Sequence, residues 1–573
     1  MRAARPIVAR PMPGRAEIER IGDLDPLHAR LFVMRGVTSA DEIDYGLRRL
    51  APVTALEHID EAANLLIEKR DQRIIVVGDF DVDGATSTAL VLRCLREFGF
   101  SDVEYLVPNR FDYGYGLSRE IVRVAAERSP GLLITVDNGV SSLDGVDEAN
   151  ASGIPVLITD HHLPGDTLPD AAVILNPNLP DSQFPSRNLA GVGVAFYLMA
   201  RVGRMLEEQG QSGAARIPAQ YLDLVALGTV ADVVPLDHNN RILVEQGLLR
   251  IRAGRCVPGI DALLQQAGRS RARCISTDLG FAVGPRINAA GRLEDIGVGI
   301  ECLLTDSFDK AADLARVLDG INSERRGIEA GMRDQAFKVV DALGEQRWPC
   351  CVSLYDRSWH QGVVGLIAAR VRERCHRPVI AFAREDDARL KGSARSIPGV
   401  HVRDLLEAVA TDAPDLIEKF GGHAMAAGLT IRESEFGRFK TLAAKQMKRL
   451  YPEADLSGAI VTDGPLPGDA LTLEFARSLR SAGPWGSGFP EPLWSGDFTV
   501  VEQRTVGDNH LKMRVRAADS GAVVDAIAFG QAGHAHRGRV QLAYKLDVNE
   551  YRGHENPQLV VEQIVPLQGG RAC

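Results

Sequence analysis

Short apolar runs alternate with amphipathic stretches over residues 73–176 of this chain. The runs are rich in Val, Ile and Leu, which is typical of strands buried on both faces. The stretches between them repeat apolar residues at helical spacing, which predicts helices at 85–98, 117–128 and 142–152. Strands that alternate with helices predict a parallel sheet covered on both faces. The predicted strands are 74–77, 103–107, 132–136, 154–158 and 172–175.

Polar residues follow the first four of these runs. Ligands of parallel sheets bind beyond the carboxyl ends of the strands, so we expect these side chains to lie at one edge and to form one site. They are Asp79, Asp81 and Asp83 after the first strand, Asn109 and Arg110 after the second, Asp137 after the third, and Asp160, His161 and His162 after the fourth.

The pattern changes further along the chain, which predicts an α/β protein with an additional β-barrel. Residues 190–265 have helical periodicity, and a longer helical pattern covers 308–344. Alternating strands and helices return over 348–450, and short strand-like runs from 497 to 567 predict a small barrel. The predicted divisions are an N-terminal extension (1–50), a catalytic domain (51–265), a basic segment with a connecting helix (266–346), a smaller α/β domain (347–452) and a barrel domain (460–573).

The composition is typical of a globular protein without membrane spans or disulfide bonds. Of 573 residues, 45% are hydrophobic and 25% are charged, and every apolar run is shorter than about 18 residues, so we expect no membrane span. The eight cysteines form no CxxC pair, which indicates reduced thiols rather than a disulfide framework or a zinc site. Arginines near the N-terminus suggest a transit peptide, but nearby prolines oppose a helix there. We therefore expect a loose leader on a cytoplasmic protein.

The net charge and the local charge of the chain lead to different predictions about nucleic-acid binding. The formal net charge is −10 and the isoelectric point is near 5.8, which taken alone argues against a nucleic-acid partner. Between residues 269 and 292, however, five arginines accompany a single acid, Asp278. This segment is either a solvated basic loop or a local path for a phosphate backbone.

The run GDFDVDGAT at residues 78–86 places three carboxylates on a turn between a strand and a helix. Asp81 and Asp83 are alternate residues, so we expect both to face one polar site. Carboxylates this close repel one another, and a divalent cation such as Mg²⁺ or Mn²⁺ removes the repulsion. A helix N-cap would explain one of the aspartates. The loop of an aspartyl-phosphate phosphatase is a second alternative, but that chemistry needs a downstream lysine and a close acidic pair.

Residues further along the chain favour metal catalysis over covalent catalysis. His161 and His162 are adjacent at the end of a buried strand, which suits metal binding or proton transfer. Asp137 precedes a glycine turn and, taken alone, is also compatible with an ordinary turn. Asp232 lies in an apolar stretch, where a buried acid needs a compensating cation. Imidazole beside carboxylates at successive strand ends is typical of a metal site.

Taken in order, these motifs resemble those of the RecJ family of DHH phosphoesterases. The resemblance covers about residues 50 to 565, and GGHAMAAG at 421–428 resembles the signature of a DHH-associated domain. Some members have a histidine before the first Gly-Asp, where this chain has Val77, so we assign no ligand there. The other matching motifs are GDFDVDGA (78–85), PNRF (108–111) with GYG (114–116), TVDNG (135–139), DHH (160–162), GTVAD (228–232), GPRINAAGR (284–292), GPWG (483–486) and PEP (490–492).

The resemblance implies an exonuclease that degrades single-stranded DNA from the 5′ end, releases nucleoside 5′-monophosphates and acts in DNA repair and recombination. It implies two divalent cations, Mn²⁺ or Mg²⁺, and a single-stranded-DNA-binding protein as partner. His162 would stand just outside the metals, near the scissile phosphate, as an acid or electrophile, and Asp79 would support the catalytic site without binding metal. The implied ligands are Asp81 and Asp137 for one cation, and Asp83, Asp137, His161 and Asp232 for the other.

The resemblance also implies a cleft that holds the substrate. Tyr115 is suited to stack on a base, because single-strand grooves use aromatic side chains for sequence-tolerant contacts. The C-terminal strands resemble an OB-fold, a frequent binder of single strands. His423 lies on a glycine-rich loop that allows close approach of the substrate to the backbone. Residues expected to bind phosphates are Arg110, Arg286, Ser393 and Arg395, together with Arg504, Lys512, Arg514 and Arg516 of the barrel.

Two other functions fit part of the sequence. A DHH phosphodiesterase of short oligonucleotides or cyclic dinucleotides would share the ligands but lack the barrel. A non-catalytic replication scaffold would share the fold but need not keep the ligands. We expect a monomeric enzyme with a parallel-sheet DHH catalytic domain, a long connecting helix, a smaller α/β DHH-associated domain and an OB-like β-barrel.

Overall fold

The computed structural model describes residues 5–107, 116–507, 509–533, 536 and 538–567. Its main sheets are a five-stranded parallel sheet, a second five-stranded sheet and a closed five-stranded barrel. None of the helices in these ranges combines the length and the apolar character needed to cross a membrane.

The first half of the chain folds around the parallel sheet, and its long helices lie on both sides of that sheet. Its elements are β1 (Ile7–Ala9), α1 (Arg15–Glu19), α2 (Pro26–Val33), α3 (Ile59–Glu68), β2 (Ile74–Val77), α4 (Val82–Glu97), β3 (Val103–Leu106), α5 (Arg119–Ala126), β4 (Leu132–Val136), α6 (Leu143–Ala151), β5 (Val156–Thr159), β6 (Val173–Leu175), α7 (Gly191–Glu208), α8 (Leu222–Ala231), α9 (His238–Arg252), α10 (Pro258–Gln266), α11 (Ser276–Asp278), α12 (Gly284–Leu293), α13 (Gly297–Leu304) and α14 (Phe308–Leu343).

The register of the parallel sheet brings the functional motifs together. The strand order is β3-β2-β4-β5-β6, and β2, β4 and β5 are buried along their whole length. Val77 is the register partner of Thr135, and Val136 that of Thr159. These three strands therefore end side by side, and residues 78–83, 137 and 160–162 emerge at one edge.

The second half of the chain forms two further units, which the 36-residue helix α14 joins to the first. Its elements are β7 (Val352–Tyr355), α15 (Val364–Cys375), β8 (Val379–Arg384), β9 (Arg389–Arg395), α16 (Val402–Asp412), β10 (Lys419–Gly422), β11 (Ala426–Arg432), α17 (Phe436–Leu450), β12 (Ile460–Thr462), α18 (Leu473–Ser481), β13 (Trp494–Val506), β14 (His510–Ala517), β15 (Val523–Ala528), β16 (Gly538–Tyr551) and β17 (His554–Pro566).

These two units have different sheet topologies. The second unit has the strand order β10-β11-β9-β8-β7, in which β7 and β8 pair in parallel and the other neighbours pair antiparallel. In the third unit, the barrel closes in the order β13-β14-β15-β17-β16. Alternate residues of β14 are buried inside the barrel, so the remaining ones face outward.

The N-terminal arm, residues 5–50, is held against the barrel unit, so the prediction of a loose leader was wrong. Strand β1 pairs in parallel with β12, which lies more than four hundred residues later. Arg35 forms an ion pair with Asp463 (Nη2–Oδ2 2.9 Å), and the side chains are 0% and 2% exposed. Arg35 Nε also donates to the carbonyl oxygen of Pro490 (2.6 Å). The arm therefore connects the first unit to the third.

A turn that precedes the barrel inserts into the core of the first unit. Trp485 and Phe489 belong to the same hydrophobic cluster as the parallel sheet, and their rings stack with centroids 5.3 Å apart. Phe32 of α2 stacks on both rings at 6.1 Å. Deleting the chain from about residue 460 onward would therefore also open the core of the first unit.

Replacing Arg35 with alanine tests the arm, because it leaves the buried Asp463 carboxylate without its nearest cation. Removing one partner of a buried ion pair costs about 3–5 kcal/mol, and we expect the free energy of unfolding to fall by that amount. Urea unfolding followed by circular dichroism measures the change. The control is Arg15→Ala, since Arg15 is 92% exposed and its pair with Glu19 contributes less than about 1 kcal/mol. Equal effects of both substitutions would contradict a stabilising role for the arm.

Candidate active site

The turn after β2 leads three aspartates into the first turn of α4. Asp81 is the N-cap of α4, and its Oδ1 accepts a hydrogen bond from Gly84 N (3.1 Å). Asp79 Oδ1 accepts a hydrogen bond from Phe80 N (2.7 Å). A Cβ at Gly84 would lie 2.6 Å from the Asp79 carbonyl oxygen, so this close turn requires glycine. The N-cap alternative thus describes Asp81, but it leaves Asp79 and Asp83 unexplained.

The first turn of α7 holds the buried carboxylate of Asp83. Gly191 N donates to Asp83 Oδ2 (2.6 Å), and Val192 N donates to Asp83 Oδ1 (2.9 Å). Free amides at a helix N-terminus stabilise negative charge. A Cβ at Gly191 would lie 2.7 Å from Asp137 Cβ, so α7 can approach the end of β4 only with glycine at this position.

His161 lies between three carboxylates. Its Nε2 is 3.1 Å from Asp137 Oδ1, 3.5 Å from Asp232 Oδ2 and 3.9 Å from Asp83 Oδ2. Within the described residues, His161 Nε2 and Asp137 Oδ1 are buried atoms that lack a hydrogen-bond partner, an arrangement that suits a metal ion between ligands. The potential ligand atoms form three overlapping sets, which are Asp83–His161–Asp232, Asp79–Asp81–Asp137 and Asp137–His161–His162.

The electrostatics of this cluster also favour a cation. Burial raises the pKa of Asp83 and Asp137 well above the ordinary carboxyl value, and neighbouring carboxylates raise it further. Burial likewise raises the pKa of Asp232, although His161 opposes this effect. A positive ion among the carboxylates would allow them to be ionised together. Carboxylate oxygens with one imidazole form a donor set that suits Mn²⁺ or Mg²⁺.

The buried carboxylate of Asp160 supports both histidines from behind. Its Oδ1 accepts hydrogen bonds from His161 N (2.7 Å), His162 N (3.1 Å) and His162 Nδ1 (2.8 Å). Its Oδ2 accepts one from Val140 N (2.9 Å). Burial alone would lower the pKa of His162, but the hydrogen bond and charge of Asp160 raise that pKa to about 9. Asp160 therefore favours the protonated form of His162.

The second unit reaches this edge of the sheet through His423, which lies in the turn between β10 and β11. The rings of His423 and His162 stack with centroids 5.8 Å apart and an interplanar angle of 19°. The site therefore lies between the first and the second unit.

Comparisons with known proteins agree with this arrangement. Family models match residues 73–229 (DHH family, N-terminal domain), 349–449 (DHHA1 domain) and 462–563 (RecJ OB domain). The chain is 50% identical over 569 residues to the single-stranded-DNA-specific exonuclease RecJ of Escherichia coli strain K12, which covers 96% of this chain and 99% of that protein. The chain belongs to the RecJ family.

Other RecJ proteins extend the comparison to solved structures. The RecJ of Haemophilus influenzae is 49% identical over 554 residues, which is 95% of this chain and 96% of that one. The crystal structure of RecJ from Thermus thermophilus in complex with Mn²⁺ is 30% identical and has a TM-score of 0.83, covering 99% of this chain and 81% of that one. The predicted fold, a parallel-sheet DHH domain, a smaller DHH-associated domain and an OB-like barrel, is confirmed.

The residues predicted to bind substrate have different partners in this RecJ family member. Arg395 Nη1 donates to Ser393 Oγ (3.0 Å), and both residues lie on β9. Arg286, in contrast, forms an ion pair with Asp319 of α14 (Nη2–Oδ1 2.8 Å). Arg110 and Tyr115 lie outside the described residues.

The arginines of the segment 269–292 are largely paired with acids. Most of those acids are distant in sequence, so local composition overstated the positive charge of this surface. For the exposed Arg269, Arg271 and Arg273, the structure therefore favours the solvated alternative over a phosphate path. The ion pairs are Arg269–Asp278, Arg271–Asp261, Arg273–Glu550, Arg273–Glu555 and Arg286–Asp319.

Two asparagines of the matching motifs have roles that sequence reasoning missed. Asn138 Nδ2 donates to the carbonyl oxygens of Val77 (3.1 Å) and Val136 (2.9 Å), which ties the ends of β2 and β4 together. Asn288 Oδ1 accepts a hydrogen bond from Val82 N (3.2 Å), which fixes the turn between Asp81 and Asp83. The motifs contained both residues, but only the fold shows which backbone groups they meet.

Gly191→Ala is expected to weaken metal binding, because the new Cβ would push against Asp137 and shift the amides that hold Asp83. We expect the affinity for Mn²⁺ to fall by at least about 10-fold, as for groups that orient metal ligands. Titration calorimetry measures the affinity. Gly320→Ala is the control, since a Cβ there meets nothing within 4 Å and alanine favours the helix α14. Unchanged Mn²⁺ affinity in Gly191→Ala would contradict this account of the site.

Proposed function

We propose that this protein is a single-stranded-DNA-specific exonuclease that hydrolyses phosphodiester bonds with two divalent cations, Mn²⁺ or Mg²⁺. The observation that carries the proposal is the buried cluster at the edge of the sheet, where His161 Nε2 lies within 3.1–3.9 Å of three carboxylates. The Escherichia coli relative is named a single-stranded-DNA-specific exonuclease, and the Thermus thermophilus structure contains Mn²⁺.

The two cations would share Asp137 as a ligand. Asp79 belongs to the same set of neighbouring ligand atoms as Asp81 and Asp137, so we add it to the metal ligands instead of giving it a supporting role. Cations held in this way lower the pKa of a bound water and offset the charge of a phosphodiester. The assigned ligands are Asp79, Asp81 and Asp137 for one cation, and Asp83, Asp137, His161 and Asp232 for the other.

His162 is assigned the role of a proton donor near the scissile phosphate. The hydrogen bond and the charge of Asp160 raise the pKa of His162, which favours a ring that carries a proton. Asp160 accepts the hydrogen bond from Nδ1 (2.8 Å), which fixes the orientation of the ring. His423 stacks on the same ring and helps to fix its orientation.

Ser393 and Arg395 are suited to bind the phosphate at the 5′ end of a strand. A Cβ at Gly365, in the first turn of α15, would lie 2.9 Å from Ser393 Oγ and 3.0 Å from Arg395 Nη2. A hydroxyl, a guanidinium and a helix N-terminus thus meet in one place, which favours an anion. This supports digestion from 5′ to 3′ with release of nucleoside 5′-monophosphates. Arg286, Arg110 and Tyr115 remain proposed contacts to the strand.

The remaining parts of the proposal rest on family resemblance. They are action in DNA repair and recombination, a partnership with a single-stranded-DNA-binding protein, a monomeric state and a cytoplasmic location. The alternative of a phosphodiesterase for short oligonucleotides shares the metal site. The RecJ OB domain at residues 462–563 favours long single strands instead, because OB-folds bind several nucleotides at once.

Asp137→Asn tests the chemistry with little risk to the fold, because asparagine tolerates the left-handed backbone at this position (φ 62°). We expect turnover with Mn²⁺ to fall by more than about 100-fold, since the shared ligand is weakened, whereas binding to single-stranded DNA persists. The assay follows nucleotide release from long single strands, duplexes and dinucleotides. Asp166→Asn, at an exposed position, is the control.

Each outcome of this assay distinguishes between functions. Near-normal turnover by Asp137→Asn would contradict the ligand assignment. A wild-type enzyme that prefers dinucleotides to long single strands would favour the short-oligonucleotide phosphodiesterase. Absence of any hydrolysis by the wild-type protein with Mn²⁺ would favour the scaffold.

Arg516→Ala tests the contribution of the barrel. Arg516 is exposed on the outer face of β14, whereas its neighbour Lys512 pairs with Asp525 (Nζ–Oδ2 3.0 Å). We expect weaker binding to long single strands, because one phosphate contact is lost. We also expect the slope of log affinity against log salt concentration to become shallower by about one, because about one counterion fewer is released on binding. Fluorescence anisotropy at several salt concentrations measures both. Arg271→Ala, whose arginine pairs with Asp261, is the control and should match the wild type.

A further inference from the structure

An aromatic side chain is exposed on an unusual turn before α12. Phe281 is 82% exposed, and it lies in the π-helical turn Leu279–Val283. Leu279, Ala282 and Val283 of the same turn are buried. Short π-helical turns within helices occur frequently at functional sites. Here the turn packs its aliphatic residues inside and leaves the phenyl ring in solvent, where an apolar surface is unfavourable unless it has a partner.

The turn packs against the segments that carry the metal ligands. A Cβ at Gly280 would lie 3.1 Å from Val230 Cγ1, two residues before Asp232. A Cβ at Gly284 would lie 3.4 Å from Ala231 Cβ and 4.0 Å from Val82 Cγ2, the residue between Asp81 and Asp83. The turn that carries Phe281 and the start of α12 therefore pack against both ligand-bearing segments, which places this turn beside the active site.

Two further exposed apolar side chains directly follow proposed metal ligands along the chain. Val233, directly after Asp232, is 66% exposed and has a left-handed backbone (φ 65°), which is strained for a β-branched residue. Leu163, directly after His162, is 62% exposed. The nearest arginine along the chain, Arg286, pairs with Asp319. Exposed apolar side chains beside the metal ligands are suited to contact nucleobases.

We propose that Phe281 stacks on a nucleobase of the single strand beside the scissile phosphate, as a positioning residue for the substrate. The proposal rests on the proposed nuclease function, because that function brings a strand to the active site. Stacking on an aromatic ring tolerates every base, since all bases have a π-face, and each stacked base strengthens binding by about 5- to 150-fold. It also requires an unpaired base, which contributes to a preference for single strands.

The test compares Phe281→Leu and Phe281→Trp in the full-length protein. Leucine keeps an apolar side chain but has no π-face, whereas tryptophan keeps stacking. Binding is measured by fluorescence anisotropy in EDTA, with a 5′-phosphorylated oligonucleotide and with the same backbone made abasic near the 5′ end. We expect Phe281→Leu to bind the normal oligonucleotide about 5- to 150-fold more weakly and the abasic one like the wild type, and Phe281→Trp to bind both like the wild type. Phe308→Leu, at another exposed phenylalanine, is the control.

A second measurement separates this inference from the nuclease function. With Mn²⁺, Phe281→Leu should raise KM for the normal oligonucleotide and leave kcat within about 3-fold, because the ring positions the strand and touches no metal ligand. Wild-type binding of the normal oligonucleotide by Phe281→Leu would overturn the inference and leave the ring as a contact for another protein. An equal loss on the abasic oligonucleotide would also overturn it. Failure of the wild-type protein to cleave single strands would instead refute the proposed function, and the anisotropy comparison would still decide the role of Phe281.

Discussion

Carboxylates that are buried side by side repel one another, and the first unit of this protein is arranged around several of them. Neighbouring elements supply hydrogen-bond donors or an imidazole that stabilise the negative charge. The first turn of α7 donates two amides to Asp83, and His161 lies between the carboxylates of Asp83, Asp137 and Asp232. The glycine at position 191 allows α7 to come this close to Asp137. The packing of the first unit therefore depends on the ionic state of the site.

The negative charge of the protein also affects how it would bind a polyanion such as single-stranded DNA. The chain carries a net charge of −10, and most arginines between residues 269 and 292 are matched by acids. Long-range attraction by a basic surface therefore contributes little, and binding depends on local groups such as the Ser393–Arg395 pair and on cations in the acidic cluster. An exposed aromatic ring at Phe281 is compatible with this low positive charge, because stacking needs no counterion.

Periodicity and strand-end position predicted much of the fold and of the site. The aliphatic runs before Asp79, Asp137 and Asp160 became neighbouring strands, because parallel strands with helical crossovers pair in a restricted set of ways. Strand pairs and ion pairs between residues far apart in the sequence could not be predicted in this way. Nothing local in residues 7–9 identifies Ile460–Thr462 as their partner, and nothing near Arg286 identifies Asp319. The solvent exposure of Phe281 also depends on a π-helical turn whose extra residue leaves no periodic signal.

The pairing of β1 with β12 has a consequence for synthesis of the chain on the ribosome. Residues 460–462, the partner of the first strand, are translated more than four hundred residues after it. At about 5–20 residues per second, the N-terminal segment waits roughly 20 to 90 s for that partner. Trp485 and Phe489, which complete the core of the first unit, arrive later still. The catalytic half of a nascent chain thus lacks part of its core until Trp485 and Phe489 have been translated, so the ribosome sets the order in which the two halves can become stable.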